Sequence, residues 1–445
     1  MNNNYFIKKL GFEFNIQPIP KDIEVLVDKI GVDSVHCSGE LPAVFFKKVS
    51  NFNNDTLEQI ANIQRRIWNN SSVIFLYVLS PVEIRIYNCN EKPVFLNREN
   101  LEIEQELHKK EIITCKKSDV DTLSNLVKIF SSVAIDSGKI WTSEYSSKIK
   151  LQTKVDRYLV ESLLNLASKL SEDLEDDIIH SLLMRSIFIM YLQDRKAIPP
   201  EIWNKIGESD FIKILDDHFS TYKLFAEIEK HFNGNVFPVS TLEKQNVTNE
   251  HLHLIKLCLI DGDIELVQQK LFTNWRLFNF SFIRIELLSE IYENFLDQLD
   301  PIRKKQTGTF YTPPSLVELV LDNVLPKKGD NYNLKIIDLA CGSGIFLAQA
   351  YKRIVNYWKN KHSDEKPDFK TLSEIMQNSI FGVEIDSKSI KVAAFSLYLA
   401  LLDFLDPRDV WLKNGEEFPN LIKDVESDNK KDKKEIGRAS CRERV

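Results

Sequence analysis

No apolar run in this sequence approaches the roughly 20 residues needed to cross a bilayer, so no membrane span is expected. The amino terminus, MNNNYFIKKLGFEF, lacks the apolar core and small-residue cleavage site of a secretory signal. Cysteine is scarce, at six in 445 residues, and no C-x-x-C pair occurs. That speaks against a disulfide framework and against a thiolate zinc site. The expected setting is a reducing cytoplasm. An excess of positive charge is missing too: 58 Lys and Arg face 65 Asp and Glu, for a formal charge of -7. This argues against a histone-like coat on nucleic acid, which works by phosphate neutralisation. A local cationic cleft stays open, because field focusing depends on where charge lies rather than on its sum. There is also no internal repeat.

What is there fits an α/β protein of two or three domains, since 445 residues exceed one ordinary core. Residues 1–140 favour strands: AVFFKKV (Ala43–Val49), VIFLYVLS (Val73–Ser80) and VEIRIYNC (Val82–Cys89) are rich in β-branched and aromatic residues. DTLEQIANIQRRIWNN (Asp55–Asn70) has helical spacing, with Asp55 as the expected N-cap. This reads as a small α/β module. Over 141–302 the period turns helical, in DRYLVESLLNLASKLSEDL, in DDIIHSLLMRSIFIMYLQDRKAIPP and in FIRIELLSEIYENFLDQLDP. Residues 303–424 alternate strand, glycine loop, helix, strand and helix. Over 425–445, ESDNKKDKKEIGRASCRERV has neither apolar period nor turn chemistry. It reads as a solvated tail whose last residues look like read-through sequence.

The third block holds the chemistry. LKIIDLACGSGIFLAQAYKRI begins with a buried-type strand, Leu334–Leu339, and passes through a loop, Ala340–Gly344, into a helix. Gly342 and Gly344 permit a tight turn against which a ligand can lie. Asp338 ends the strand where open α/β sheets bind ligands. The spacing D-x-x-x-G-x-G differs from the dinucleotide pattern, and no Gly-Lys-Ser/Thr ending supplies a phosphate lysine. A cationic amino-acid ligand suits Asp338 better than a pyrophosphate does. A plain strand-to-helix turn is the competing reading of the loop alone. The second strand, IFGVEIDSKSIKVAAFSLYLALLDFL, ends on Glu384, where a carboxylate can grip a ribose diol. Asp386 is expected to cap the helix that follows. Between the two strands, NKHSDEKPDFKTLSEIMQNS reads as a surface insertion.

DLACGSGIFL followed by FGVEID resembles the first two motifs of S-adenosylmethionine-dependent methyltransferases, and GTFYTPPSLVELVL resembles the motif that precedes them in adenine-N6 DNA methyltransferases. The upstream LLMRSIFIMYLQDRKAIPP and LFNFSFIRIELLSEIYENFLDQLDPIRKKQTGTFYTP are similar to single-chain methyltransferases of type II restriction–modification and related phage-defence systems. The resemblance runs over roughly 150–420 and implies a Rossmann-like fold, here its amino-terminal half, with S-adenosylmethionine as cofactor. It places Tyr311, Thr312 and Pro313 in a lid over the methionine end, and Asp338, Ala340, Gly342 and Gly344 around the methionine moiety. Glu384 falls on the ribose position and Ile385 beside the adenine. Core packing for Tyr311, helix capping for Thr312 and space-filling for Cys341 remain alternatives.

In that family, transfer needs an [Asn/Asp/Ser]-Pro-Pro-aromatic segment after the fourth strand, where the flipped adenine is held. The two Pro-Pro pairs, in IPPEIW and TPPSLV, lack its flanks. The resemblance therefore implies a chain cut within the catalytic domain, with no catalytic residue to name. Double-stranded DNA would be met through the part beyond the chain and a local basic cleft. An RNA or protein methyltransferase, or a non-catalytic cofactor- or DNA-binding subunit, are the alternatives. The amino-terminal module invites comparison with metal-dependent nucleases that carry an Asp and a Glu-x-Lys on adjacent strands. Asp33, Lys47 and the Gln64 helix fit, but Phe45 stands where Glu would, leaving a degenerate nuclease-like module as the expectation and Glu40 as a migrated carboxylate.

Overall fold

The computed structural model describes residues 5–12, 19, 21–39, 41–71, 73–93, 107–149, 154–231, 238–264, 276–283, 312–363, 365–405, 419–422 and 441–443. Tertiary contacts divide the chain into two units: Met1–Leu159 with Ile260–Ile283, and Val160–Leu259 with Arg284–Val445. Composition reads as contiguous blocks, but this division is discontinuous. Residues 276–283 are tied to the first unit by long-range polar contacts. The Asn69 amide donates to the Leu277 carbonyl (2.9 Å) and accepts from the Asn279 N–H (2.8 Å).

The first unit opens with α1 (Tyr5–Lys9) and α2 (Lys21–Ile30), followed by β1 (Ser34–Ser38), β2 (Leu41–Lys48), α3 (Asn54–Asn70), β3 (Phe75–Leu79), β4 (Glu83–Asn88) and β5 (Glu111–Lys116). Two short helices, α4 (Val120–Phe130) and α5 (Ser132–Asp136), come next. The strands form one sheet in the order β1-β2-β3-β4-β5. Only the β2–β3 pair is parallel, so that connection needs a crossover, which α3 provides. Its N-cap is Asn53, whose side chain accepts the Thr56 N–H at 3.0 Å. The expected cap, Asp55, sits instead in the first turn, where a negative charge suits the helix dipole. Side chains alternate across β2: Val44 and Phe46 join Phe6, Tyr77 and Phe130 on one face, while Phe45 joins Ile60, Leu76 and Val78 on the other. Both faces of this sheet are therefore covered.

The central helices are α6 (Val155–Leu170), α7 (Asp176–Asp194), α8 (Pro200–Ile206), α9 (Phe211–Ile214), α10 (His218–His231), α11 (Thr241–Asn246) and α12 (Asn249–Asp261). The helix expected over FIRIELLSEIYENFLDQLDP lies outside the described residues from Arg284 onward. The chain then forms α13 (Pro314–Val324), β6 (Ile336–Asp338), α14 (Ile345–Lys361), α15 (Phe369–Ser379), β7 (Ile380–Glu384) and α16 (Ser387–Leu402). Both Pro-Pro pairs start helices, with Pro200 and Pro314 in the first turns of α8 and α13. There a missing N–H leaves no gap in the hydrogen bonding.

β6 and β7 are parallel, with Ile336 opposite Ile380 and Asp338 opposite Gly382. The crossover between them contains α14 and α15. The presumed surface insertion is thus a packed helix: Phe369, Leu372, Ile375 and Met376 are buried, at the three-to-four spacing that a helix needs to present one apolar side. The buried-type strand expected at Leu334–Leu339 is shorter and more open. Ile337 is 47% exposed, as is 61% of Leu339 just past the strand end, and β6 lies at the edge of its sheet.

A third strand, β8 (Cys441–Glu443), pairs with β7 in parallel. A wholly solvated tail over 425–445 was expected, and these residues depart from it. An edge strand offers unpaired N–H and C=O groups to any extended backbone within reach. The rest of that tail lies outside the described residues, apart from those already named.

Candidate functional site

The loop between β6 and α14 is built by backbone bonds around two glycines. Cys341 N–H donates to the Val383 carbonyl at 3.0 Å, extending the β6–β7 pairing past the strand end, and Gly344 N–H returns to the Cys341 carbonyl at 2.8 Å. Gly342 has φ 52° and Gly344 φ 83°, the left-handed region that side chains disfavour. Gly344 has a second constraint. A Cβ there would stand 2.7 Å from the Ala393 Cβ of α16, so α14 and α16 meet at van der Waals contact beneath the loop. Ser396 of α16 adds a hydrogen bond from its hydroxyl to the Ser343 carbonyl (3.3 Å). The loop thus meets both α14 and α16.

Two carboxylates flank it. Asp338 ends β6 and accepts the Ala340 N–H at 3.1 Å. Burial raises its pKa from the ordinary carboxylate value; the Ala340 N–H works against that rise, and the nearby Glu384 charge adds to it. Glu384 ends β7. Its Oε2 accepts the Gly342 N–H at 2.8 Å, and its Oε1 accepts the N–H groups of Ile385 (2.8 Å) and Asp386 (3.0 Å). Asp386 caps α16 as expected, accepting from the Ser389 N–H at 2.8 Å and its hydroxyl at 2.5 Å. Ile385 is 69% exposed, an apolar side chain left open beside the acid. Cys341 is buried.

The expected lid is only partly visible. Tyr311 lies outside the described residues. Thr312 and Pro313 immediately precede α13, and Pro313 holds the N-cap position with no side-chain hydrogen bond, so Thr312 is not the cap. α13 is tied to α14 by Arg353, which reaches Glu318 and Asp322 at 2.8 Å each and the Leu325 carbonyl at 2.6 Å. Sequence reasoning passed over this arginine and over Ala393. The small pair Ala393–Ala394 in KVAAFSLY was the available signal for a close helix approach.

In the first unit Asp33 and Lys47 do come together, at 3.3 Å, and Lys47 also donates to the Gly31 carbonyl at 3.0 Å. Phe45 is fully buried. Gln64 is buried as well and donates to the Asn88 carbonyl at 3.0 Å, which joins α3 to the sheet. Glu40 lies outside the described residues. Among the described residues there is no cluster of three or more metal-ligating side chains, and no helix is long and apolar enough to cross a membrane.

Comparison with known proteins finds likenesses over part of the chain. Residues 284–406 match the family model described as N-6 DNA Methylase. The chain is related, through that segment, to the N6-adenine DNA methyltransferases of restriction–modification systems. It is 24% identical over 322 residues to a candidate type II restriction enzyme and methyltransferase of Methanocaldococcus jannaschii, covering 56% of this chain and 27% of that protein. It is 22% identical over 277 residues to the type II restriction enzyme and methyltransferase RM.Eco57I of Escherichia coli, covering 55% and 26%. The chain thus spans about a quarter of the length of these relatives. Among solved structures, a cryoEM structure of a DrdV–DNA complex aligns over 94% of this chain and 39% of its own, at 12% identity and a TM-score of 0.34. That likeness in shape is too loose to carry weight.

Proposed function

We propose that residues 303–424 form the S-adenosylmethionine-binding part of an adenine-N6 DNA methyltransferase from a restriction–modification or phage-defence system. The observation that carries this reading is the pairing of Asp338 and Glu384 at the ends of adjacent parallel strands, on either side of a loop with two left-handed glycines. The donor set suits such a ligand. A partly desolvated carboxylate beside another negative charge favours a cationic partner, as an α-ammonium is. Glu384 suits a diol, and the exposed Ile385 suits the flat face of a purine.

When bound, the cofactor supplies an electrophilic methyl group on its sulfonium. This chain's own residues bind and orient. Asp338 holds the ammonium; Ala340, Gly342 and Gly344 let the methionine moiety lie against bare backbone; Tyr311, Thr312 and Pro313 cover that end. Arg353 supports the cover by fixing α13 to α14. Double-stranded DNA is the proposed acceptor. In this reading residues 1–140 are a degenerate nuclease-like module, its Asp33 paired with Lys47.

Calorimetric titration of S-adenosylmethionine against the wild type and Asp338→Ala tests the assignment. Loss of a charge-assisted hydrogen bond predicts an affinity drop of roughly ten- to a hundredfold. Equal affinities would remove it.

A further inference from the structure

At the end of α14 away from the glycine loop, three aromatic rings stand in a row. Rising 1.5 Å per residue, this helix puts about 25 Å between its two ends. Trp358 and His362 lie four residues apart, on one side of the last turn, and stack with ring centroids 4.1 Å apart and planes 16° from parallel. The His362 Nδ1–H donates to the Trp358 carbonyl at 2.8 Å, which holds the imidazole in that stack. Tyr332, from the segment that leads into β6, comes next at 5.6 Å from His362. That segment is pinned to α14 at two points. The Tyr357 hydroxyl donates to the Pro326 carbonyl, and the Asn360 amide to the Gly329 carbonyl at 3.0 Å. A Cβ at Gly329 would stand 2.6 Å from the Tyr357 ring, so the chain passes there as bare backbone.

Positive charge gathers around the rings. Residues 327–335 and 358–362 carry five lysines against one acid, Asp330, in a chain whose formal charge is -7. Two of the five are engaged: Lys327 with Glu318 at 3.5 Å, and Lys359 over the Phe404 ring. Lys328, Lys335 and Lys361 are exposed, and among the described residues no acid pairs with them. Lys361 rests over the Tyr332 ring at 5.3 Å. Tyr332, Trp358 and His362 are only half-buried, so their faces are not used up in a core.

We propose that this ring row and its three free lysines bind single-stranded nucleic acid, a base stacking on Tyr332 while phosphates meet Lys328, Lys335 and Lys361. Stacking on a ring tolerates any base, since every base has a π-face, and lysines along the same surface track the backbone. Lys361 moves from the ring to a phosphate and leaves the Tyr332 face to the base. An acidic peptide would satisfy the lysines but brings nothing flat to the rings. A duplex keeps its bases stacked on one another and offers the rings none. The surface lies at the opposite end of α14 from Asp338 and Glu384, so it does not depend on what those carboxylates hold.

Fluorescence anisotropy of a fluorescein-labelled 20-nucleotide oligothymidylate, titrated with the full chain over a range of salt concentrations, tests this. Lys328→Gln with Lys361→Gln should weaken binding at least fivefold and flatten the slope of log affinity against log salt by about 1.4, for two phosphate contacts on a single strand. Tyr332→Leu should weaken it at least fivefold, and Tyr332→Phe should stay within twofold of wild type, because the ring and not the hydroxyl carries the stack. Unchanged melting temperatures show that these surface variants fold. A mixed-sequence duplex of the same length should bind more weakly than the oligothymidylate. No binding of the oligothymidylate by wild type, or an unaltered affinity and salt slope in the double lysine variant, overturns the proposal. Equal affinities for Tyr332→Leu and wild type overturn the stacking. Binding of polyglutamate in place of the oligothymidylate, lost in the double lysine variant, assigns the surface to an acidic protein and overturns it as well.

Discussion

The two sheets of this protein are built on opposite terms. In the five-stranded sheet every residue of β3 is buried, and clusters of aliphatic and aromatic side chains cover both faces. In the sheet of β6, β7 and β8 the first strand has three residues, and Ile337, Leu339 and Ile385 stand between 47% and 69% exposed. The first sheet spends its side chains on cohesion. The second ends in carboxylates and bare glycine backbone, the groups that the proposed function assigns to a ligand. A sheet whose strand ends stay polar and open gives up apolar burial for recognition.

That contrast can be broken in graded steps. The largest effect is expected in the covered sheet: Phe46→Ala removes a fully buried ring and should cost about 3–5 kcal/mol in urea unfolding. Gly344→Ala comes next, because it combines a left-handed φ with a Cβ forced against Ala393. Strain and overpacking together predict roughly 2–4 kcal/mol of destabilisation, together with loss of S-adenosylmethionine binding in calorimetry.

Asp338→Asn sharpens the comparison through its sign. In the folded chain the Asp338 pKa is raised by burial, with a further push from Glu384. The folded state therefore holds a proton that the unfolded state releases, between the ordinary carboxylate value and the raised one. Across that window wild-type stability falls as pH rises. Asparagine has no such titration. The variant should melt slightly higher than wild type at pH 7 and not at pH 3, while binding cofactor less well, as differential scanning fluorimetry and calorimetry would show. The smallest effect belongs to the open face: Leu339→Ser should change stability by no more than about 0.5 kcal/mol, since little contact is lost.

Much of this was legible in one dimension. The strands around Phe45, Tyr77 and Ile86 announce themselves through β-branched and aromatic runs, and the caps of α16 and the Asp338 and Glu384 positions follow from spacing. What escaped has physical causes. β1 (SVHCS) and β5 (EIITCK) are edge strands, half-buried and weakly patterned. The α15 helix hid behind a charged, proline-bearing lead-in, although its Phe369, Leu372 and Met376 already had helical period. The return of residues 276–283 to the first unit depends on Asn69 contacting Leu277 and Asn279, a pairing some two hundred residues apart that no local pattern can announce. Likewise, nothing in GVE tells that its acid would turn back onto the glycine loop.

One short stretch of α16 has consequences in two directions. Ala393 touches Gly344, and Ser396 holds the Ser343 carbonyl. Between them Phe395 packs edge-on against Phe188 of α7, with ring centroids 4.9 Å apart. Three positions within one turn thus report at once to the glycine loop and to an apolar helical layer. A larger residue at 393 meets the Gly344 backbone and a change at 395 meets Phe188, so drift along this turn is bounded by two neighbours rather than one.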